Sequence, residues 1–457
     1  MVNRLARSLL AFGLASAQVA ATAAVVSAAP DIEDRLAALP GVRIISEATS
    51  GTARTFVLGI EQPADHRKPR GQKFEQRFSL LHKAEAKPMV LHTSGYHLSG
   101  TVSASEPARL VDGNQISVEQ RFFAPSRPSP ADWDDLTIWQ AANDHHRIVT
   151  AFKKIYGAKW LSTGASKGGM TSIYHRRFFP RDVDATIAYV APNDVVNDRD
   201  VYGEFIRDVG DDPSCNRRLE GVQRQVLQHR DEFVARLEAK GYTYGQFGGA
   251  HRALEVLVLD TPFTFWQYGT QDQCALVPGA GASVDDLWTF IDRTVGFDFY
   301  TDAGVAPYET YYYQAGTQLG WPEADESAVR DLLRHPGSSV PRTMVPDSIR
   351  FPRFDRRAMA DIDRWVRHQG SRLLFVNGEN DPWSAEPFTL GRGTRDSLSF
   401  TVPGGNHGAN IARLPEADRA TATAAVLRWA GVSSAPAAAL AVDEGPDSLD
   451  ALRARRG

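Results

Sequence analysis

Apolar and polar residues alternate between 42 and 82, with breaks at "TSGTA" and "QPADHRKPRG". A period of two predicts a leading set of antiparallel strands. Two short apolar runs come next, "MVLHTSGYH" (89–97) and "NQISVEQRFF" (114–123), the second stopped by the proline-rich "APSRPSPADW". Each reads as a strand feeding a loop. From Leu136 the spacing becomes helical, with Ile138, Trp139, Ile148, Val149, Phe152 and Ile155 recurring on one face before Gly157. A strand at 159–163, a helix from about Ser166, and strands at "ATIAYVAP", "RLLFVNG" and "SLSFTVPG" complete the series. Strands alternating with helices predict an α/β class chain, a parallel sheet covered by helices on both faces.

Between 197 and 350 the rhythm stops. "RRLEGVQRQVLQHRDEFVARLEAKGY" and "VDDLWTFIDRTVGF" read as helices, followed by the aromatic "YETYYYQAGTQLGW" and a proline-rich exit. This segment is expected to be a helical insertion between two strands of one sheet, a lid dividing a core of 30–196 and 351–432. The closing stretch 433–457 lacks a sustained apolar face and is expected to add nothing to the core. At the other end, Arg4 and Arg7 precede an Ala- and Leu-rich run that ends in small residues at Ser27, Ala28 and Ala29. That is the build of a signal peptide at 1–29, so export and a secreted, soluble mature protein are expected. The two cysteines, Cys215 and Cys274, then predict a disulfide. A formal charge of -4 gives no electrostatic reason to expect nucleic acid or an anionic membrane as partner.

Chemistry concentrates at Gly164-Ala165-Ser166-Lys167-Gly168, a G-x-S-x-G with a strand before it and a helix after. The glycines allow a strained turn that lifts the serine hydroxyl above the sheet edge, making Ser166 the expected nucleophile. The Lys167 N–H, at the helix start, points where an oxyanion would form. The fold then requires an acid and a histidine, in that order, each after a later strand. "ENDPW" offers Glu379 and Asp381, and "GNHG" offers His407. Asp381 is preferred because Pro382 rigidifies its loop and the short side chain holds an imidazole in one orientation. A second oxyanion donor is expected from the backbone of "TSGYH", at Gly95 or Tyr96. His145 and His146 read as solvated residues of a helix. No H-E-x-x-H, cysteine-rich metal spacing, P-loop or dinucleotide G-x-G-x-x-G is present, so neither metal nor cofactor is expected.

"ADHRKPRGQKFEQRFSLLHK", "EQRFF", "QAANDHHRI", "TGASKGGMTSIYHRRFFP", "AYVAPND", "NGENDPW" and "PGGNH" together resemble secreted bacterial serine tripeptidyl aminopeptidases, including those that cut after proline. More loosely they are similar to the lysosomal Pro-Xaa carboxypeptidase and dipeptidyl peptidase II family. The resemblance spans about 42–429. It implies an α/β-hydrolase fold with an inserted helical cap, Ser166 as nucleophile, Asp381 as acid, His407 as base, and peptide substrates. The chain departs from the Pro-Xaa carboxypeptidase pattern at "GGNHGANI" and at "YYYQAGTQLG", where Gly-Thr-Gln replaces a Thr-Glu pattern. That family's cleavage mode is therefore not carried over.

An aminopeptidase must bind a free ammonium, for which Glu119, Asp194 and Glu204 are candidates. Tyr311, Tyr312 and Tyr313 with Trp321 are candidates for an apolar pocket that takes a proline ring. The expected activity is release of tripeptides from free N-termini. The rivals are a lipase or esterase, a proline-specific dipeptidyl peptidase or iminopeptidase, and an idle binding protein of the same fold. Charge in the insertion, including Asp208, Asp211, Asp212 and Glu220, favours a peptide over an acyl chain.

Overall fold

A computed structural model describes residues 31–436 apart from 51–52 and 198–199. The expected signal peptide and all but the first four residues of the expected tail lie outside the described residues. Nine strands form one sheet: β1 (Val42–Ser50), β2 (Ala53–Pro63), β3 (Lys73–His82), β4 (Met89–Thr93), β5 (Asn114–Val118), β6 (Trp160–Ala165), β7 (Ala185–Tyr189), β8 (Leu373–Gly378) and β9 (Leu398–Val402). Their order is β1-β2-β3-β5-β4-β6-β7-β8-β9. The first three pair antiparallel and β3 meets β5 antiparallel, while β5 through β9 run parallel. The crossing of β4 and β5 and the parallel run that follows are those of the α/β-hydrolase fold.

Period-2 alternation sorts the parallel strands onto two faces. Leu161, Ile187, Leu374 and Val376 face a cluster with Val426 and Trp429 of the helix Glu416–Ala430. Ala188, Leu373 and Phe375 face the helices Ile138–Phe152, Lys167–Phe178 and Ala358–Gln369 on the other side. Every residue of β7 and β8 is buried, which is why these strands read as continuous apolar runs. His145 is not solvated: it is buried against the His175 ring, and burial pushes its imidazole down to about 3. His146 pairs with Asp182 at 2.9 Å.

The chain between β7 and β8 builds the helices Pro213–Gln228, Arg230–Ala239, Ala250–Tyr268 and Val284–Thr294 around an apolar cluster of their own. Phe122 and Leu136 of the sheet domain reach into it. Cys215 and Cys274 form a disulfide that ties the first of these helices to the segment following the third. A buried ion pair, Arg230 to Glu255 at 2.6 Å, links the second helix to the third. Among the described residues no helix is long and apolar enough to cross a membrane.

Candidate active site

Ser166 stands at the turn from β6 into the helix Lys167–Phe178 with φ 55° and ψ -130°. A left-handed φ on serine is strained and persists only where the surroundings hold it. Here they do: a Cβ on Gly164 would fall 2.3 Å from the Gly168 carbonyl oxygen, and one on Gly168 would fall 2.3 Å from that of Thr93. Thr93 Oγ1 donates to the Gly168 carbonyl at 2.7 Å, fixing the end of β4 to the same turn.

Asp381 follows β8 and is fully buried. Its carboxylate accepts from Ser384 Oγ at 2.8 Å, from the Trp383 N–H at 3.2 Å, and from His407 Nδ1 at 2.9 and 3.0 Å. With Nδ1 donating to Asp381, Nε2 is the basic nitrogen, and it has no hydrogen-bond partner. Glu379 is elsewhere engaged, accepting the Gly404 N–H at 2.7 Å. The loop carrying the histidine is fastened to the end of the long inserted helix. The His407 N–H donates to the Gln267 carbonyl at 3.0 Å, and Asn406 Nδ2 donates to the carbonyls of Tyr268 and Gly269, each at 3.0 Å. Ser166 and His407 line one cavity of about 720 Å³ between sheet and insertion, with Trp383 and Tyr96 beside them.

The profile of the PS-10 peptidase S37 family matches residues 25–454. The chain belongs to that family. It is a serine peptidase. A curated relative, the prolyl tri/tetrapeptidyl aminopeptidase of Streptomyces mobaraensis, is 50% identical over 437 residues, covering 94% of this chain and 91% of the relative. Among solved structures, the proline iminopeptidase of Mycobacterium smegmatis is similar at 14% identity and a TM-score of 0.35, covering 84% of this chain and 98% of its own. A peroxisomal alpha-beta-hydrolase of Saccharomyces cerevisiae is similar at 12% identity and a TM-score of 0.37, covering 83% and 91%. The strand order, rather than these likenesses, carries the fold.

In this S37 peptidase the loop after β4 presses against the turn at Ser166: a Cβ on Gly95 would lie 2.7 Å from the Gly168 nitrogen. Lys167 turns inward, its Nζ donating to the Gly95 carbonyl and lying 5.4 Å from the Tyr96 ring and 5.6 Å from the Phe123 ring. Burial pushes its ammonium down to about 7. The backbone donor expected at Tyr96 is already used, because that N–H donates to Ser94 Oγ at 3.2 Å. The Tyr96 side chain instead lines the cavity together with Ser166. The sequence carried no signal for this, since a residue after a glycine turn does not announce where its ring goes.

Glu119 does not face the cavity as a free carboxylate. It is fully buried and accepts from Arg77 at 2.8 and 3.1 Å, from Ser126 Oγ and from the Leu98 N–H at 3.1 Å. An ammonium would have to displace a bidentate guanidinium. Glu204 is exposed on the helix Tyr202–Asp208. Asp194 is buried in a small cleft that Ser166 also lines, with Tyr202 and Trp383. Burial first, then the charges of Glu386 and Asp200, push its carboxyl up to about 7. Tyr311, Tyr312 and Trp321 line the main cavity. Tyr313 packs away from it, 5.2 Å from the Trp133 ring and 5.7 Å from the Phe351 ring. Missed from the sequence are Asp260, Glu323 and Asp325, which join Glu220 on the cavity wall; Arg207, paired with Asp325, is a cation on the same wall.

Proposed function

We propose that this chain is an exported aminopeptidase that releases tripeptides from free N-termini, with proline before the cut, through an acyl-enzyme on Ser166. The Asp381–His407 pair opening onto the cavity that Ser166 lines is the observation that carries the mechanism. His407 Nε2 takes the Oγ proton as the oxygen attacks the peptide carbonyl, and Asp381 stabilises the imidazolium. The Lys167 N–H, at the positive end of its helix, faces the developing oxyanion. Collapse of the intermediate breaks the C–N bond, with the histidine returning its proton to the leaving amine. Water then repeats the sequence and frees the acid.

Substrate class rests on the relative's name and on the wall chemistry. Four carboxyl-bearing side chains, Glu220, Asp260, Glu323 and Asp325, against Arg207 suit a cationic N-terminus better than an acyl chain. The aromatic rings of Tyr311, Tyr312 and Trp321 suit the stiff apolar ring of proline. Residues 197–350 would act as the cap that limits the length of peptide admitted. Export is supported by the Cys215–Cys274 disulfide, a bond of oxidising compartments.

The test is chromophore release from Ala-Ala-Pro-p-nitroanilide beside the same peptide with a succinylated N-terminus, with Ser166→Ala as blank. Cleavage of the free peptide alone is expected. Cleavage of both, or of simple esters only, would refute the aminopeptidase reading.

A further inference from the structure

Lys167 directly follows Ser166, and its side chain does something that its place in the helix does not require. Only 2% exposed, it runs to the loop after β4, where Nζ donates to the Gly95 carbonyl at 2.5 Å and lies between the rings of Tyr96 and Phe123. Among the described residues no carboxylate pairs with it. A buried cation held by one carbonyl and two ring faces is costly, and a methionine would fill the same space without that cost. What the ammonium holds is one peptide plane. The Gly95 carbonyl stands at one end of it, and at the other the Tyr96 N–H donates to Ser94 Oγ at 3.2 Å. Gly95 itself, at φ 75°, backs onto the start of the helix: a Cβ there would lie 2.7 Å from the Gly168 nitrogen and 3.0 Å from the Lys167 carbonyl carbon. Two backbone donors flank that contact, the N–H groups of Gly95 and Lys167, and neither has a hydrogen-bond partner among the described residues.

We propose that the Lys167 side chain is a positioning residue that braces the second half of the oxyanion hole. The assignment rests on the serine mechanism proposed above. The Lys167 main chain supplies one donor at the helix start, and its ammonium, reaching across to the loop after β4, locks the segment that carries the other donor at Gly95. Glycine at φ 75° has no Cβ to limit its own rotation. Without the brace the 95–96 peptide is free to turn, and the Gly95 N–H moves with it. Because Nζ is spent on the Gly95 carbonyl, the ammonium acts through the loop and transfers no proton. A donor kept still where charge develops acts on the transition state more than on the bound peptide.

Lys167→Met in the full chain fills the same space and removes the brace. With Ala-Ala-Pro-p-nitroanilide, kcat is expected to fall about 10- to 10²-fold, the cost of a donor displaced by about 1 Å, while KM stays within about threefold. The peptide aldehyde Ala-Ala-Pro-al, whose hemiacetal places an oxygen at the oxyanion position, should lose affinity by the same factor. The product tripeptide Ala-Ala-Pro should bind unchanged. Rescue separates a brace from packing. Cys215 and Cys274 are paired, so Lys167→Cys offers one thiol, and alkylating it in urea with 2-bromoethylamine before refolding rebuilds an ammonium of lysine's length. That form should regain kcat by about tenfold or more over the form alkylated with 1-bromopropane, which has the same shape and no charge. A Lys167→Met kcat within about threefold of the parent would overturn the assignment, as would tripeptide binding lost in step with kcat, or equal kcat in the two alkylated forms. Should Lys167→Met not fold, the two alkylated forms carry the test between them. A parent that also cleaves the succinylated peptide fails the aminopeptidase reading and not the brace, which is then read on that substrate. Activity surviving in Ser166→Ala is a separate result, refuting the serine mechanism itself.

Discussion

Removing the charge from Asp194 should stabilise the protein increasingly as pH rises from about 4 to about 7. The carboxyl sits in the cleft beside Ser166, with Gly320 so close that a Cβ there would meet it at 2.5 Å. Burial and then the charges of Glu386 and Asp200 lift it from 3.8 to about 7. A carboxyl with a folded pKa above its unfolded one binds its proton more tightly when folded. Its contribution to stability is therefore complete below about pH 4 and is lost as pH climbs through about 7. At about 1.4 kcal/mol per pKa unit the full rise amounts to about 4 kcal/mol, a ceiling that solvent access and coupling to Glu386 reduce. Asp194→Asn keeps the shape and carries no charge. Urea unfolding of variant and parent at pH 4.5, 6 and 8 should show the variant gaining about 2 to 3 kcal/mol over the parent across that range. A difference that does not change with pH would mean that Asp194 does not titrate there. A variant that loses ground at pH 8 would mean that the ionised carboxylate is the form the fold uses.

Three further outcomes are expected. Asp381→Asn leaves His407 with the wrong tautomer and should lower kcat on Ala-Ala-Pro-p-nitroanilide by about 10⁴ with KM little changed; retention of more than a tenth of the activity would refute the role given to Asp381. Gly168→Ala places a Cβ 2.3 Å from the Thr93 carbonyl oxygen and 2.8 Å from that of Ser94, so a loss of more than about 3 kcal/mol is expected, and a melting temperature equal to the parent's would refute the packing. Reducing the Cys215–Cys274 bond, which spans 59 residues, should cost about 4 kcal/mol by the chain-entropy estimate, read as a lower melting temperature in reductant. An unchanged melt would show that the bond constrains little.

The parallel sheet was legible because β6, β7 and β8 are buried on both faces and are short stretches without charged residues that alternate with helical spacing. The loops bearing Ser166, Asp381 and His407 could be located because each lies just beyond one of the parallel strands, β6, β8 and β9. The insertion was harder. Its longest helix, Ala250–Tyr268, is buried nearly all round and contains Pro262, so it shows neither a one-sided stripe nor an uninterrupted helical signal. The stretch read as one helix at 217–242 breaks at His229, which caps one helix and starts the next. The cavity wall was not legible because its acids come from three separate stretches of the insertion, and a helix stripe says which side is buried but not what it faces. The position of the Tyr96 ring depends on Phe123, Tyr308 and Tyr311, contacts made across as many as 215 positions of sequence.

The three hydrogen bonds from Asn406 and His407 to the end of the helix Ala250–Tyr268 make the roof of the cavity and its proton acceptor a single mechanical piece. Lifting that helix like a door would tear the histidine from its seat before anything entered. Under the proposed function, discrimination by chain length would be a matter of the shape of a standing aperture and would not depend on how fast a flap opens. On that reading the Asp381–His407 pair would stay assembled between turnovers, and a folded polypeptide would be kept out by bulk alone.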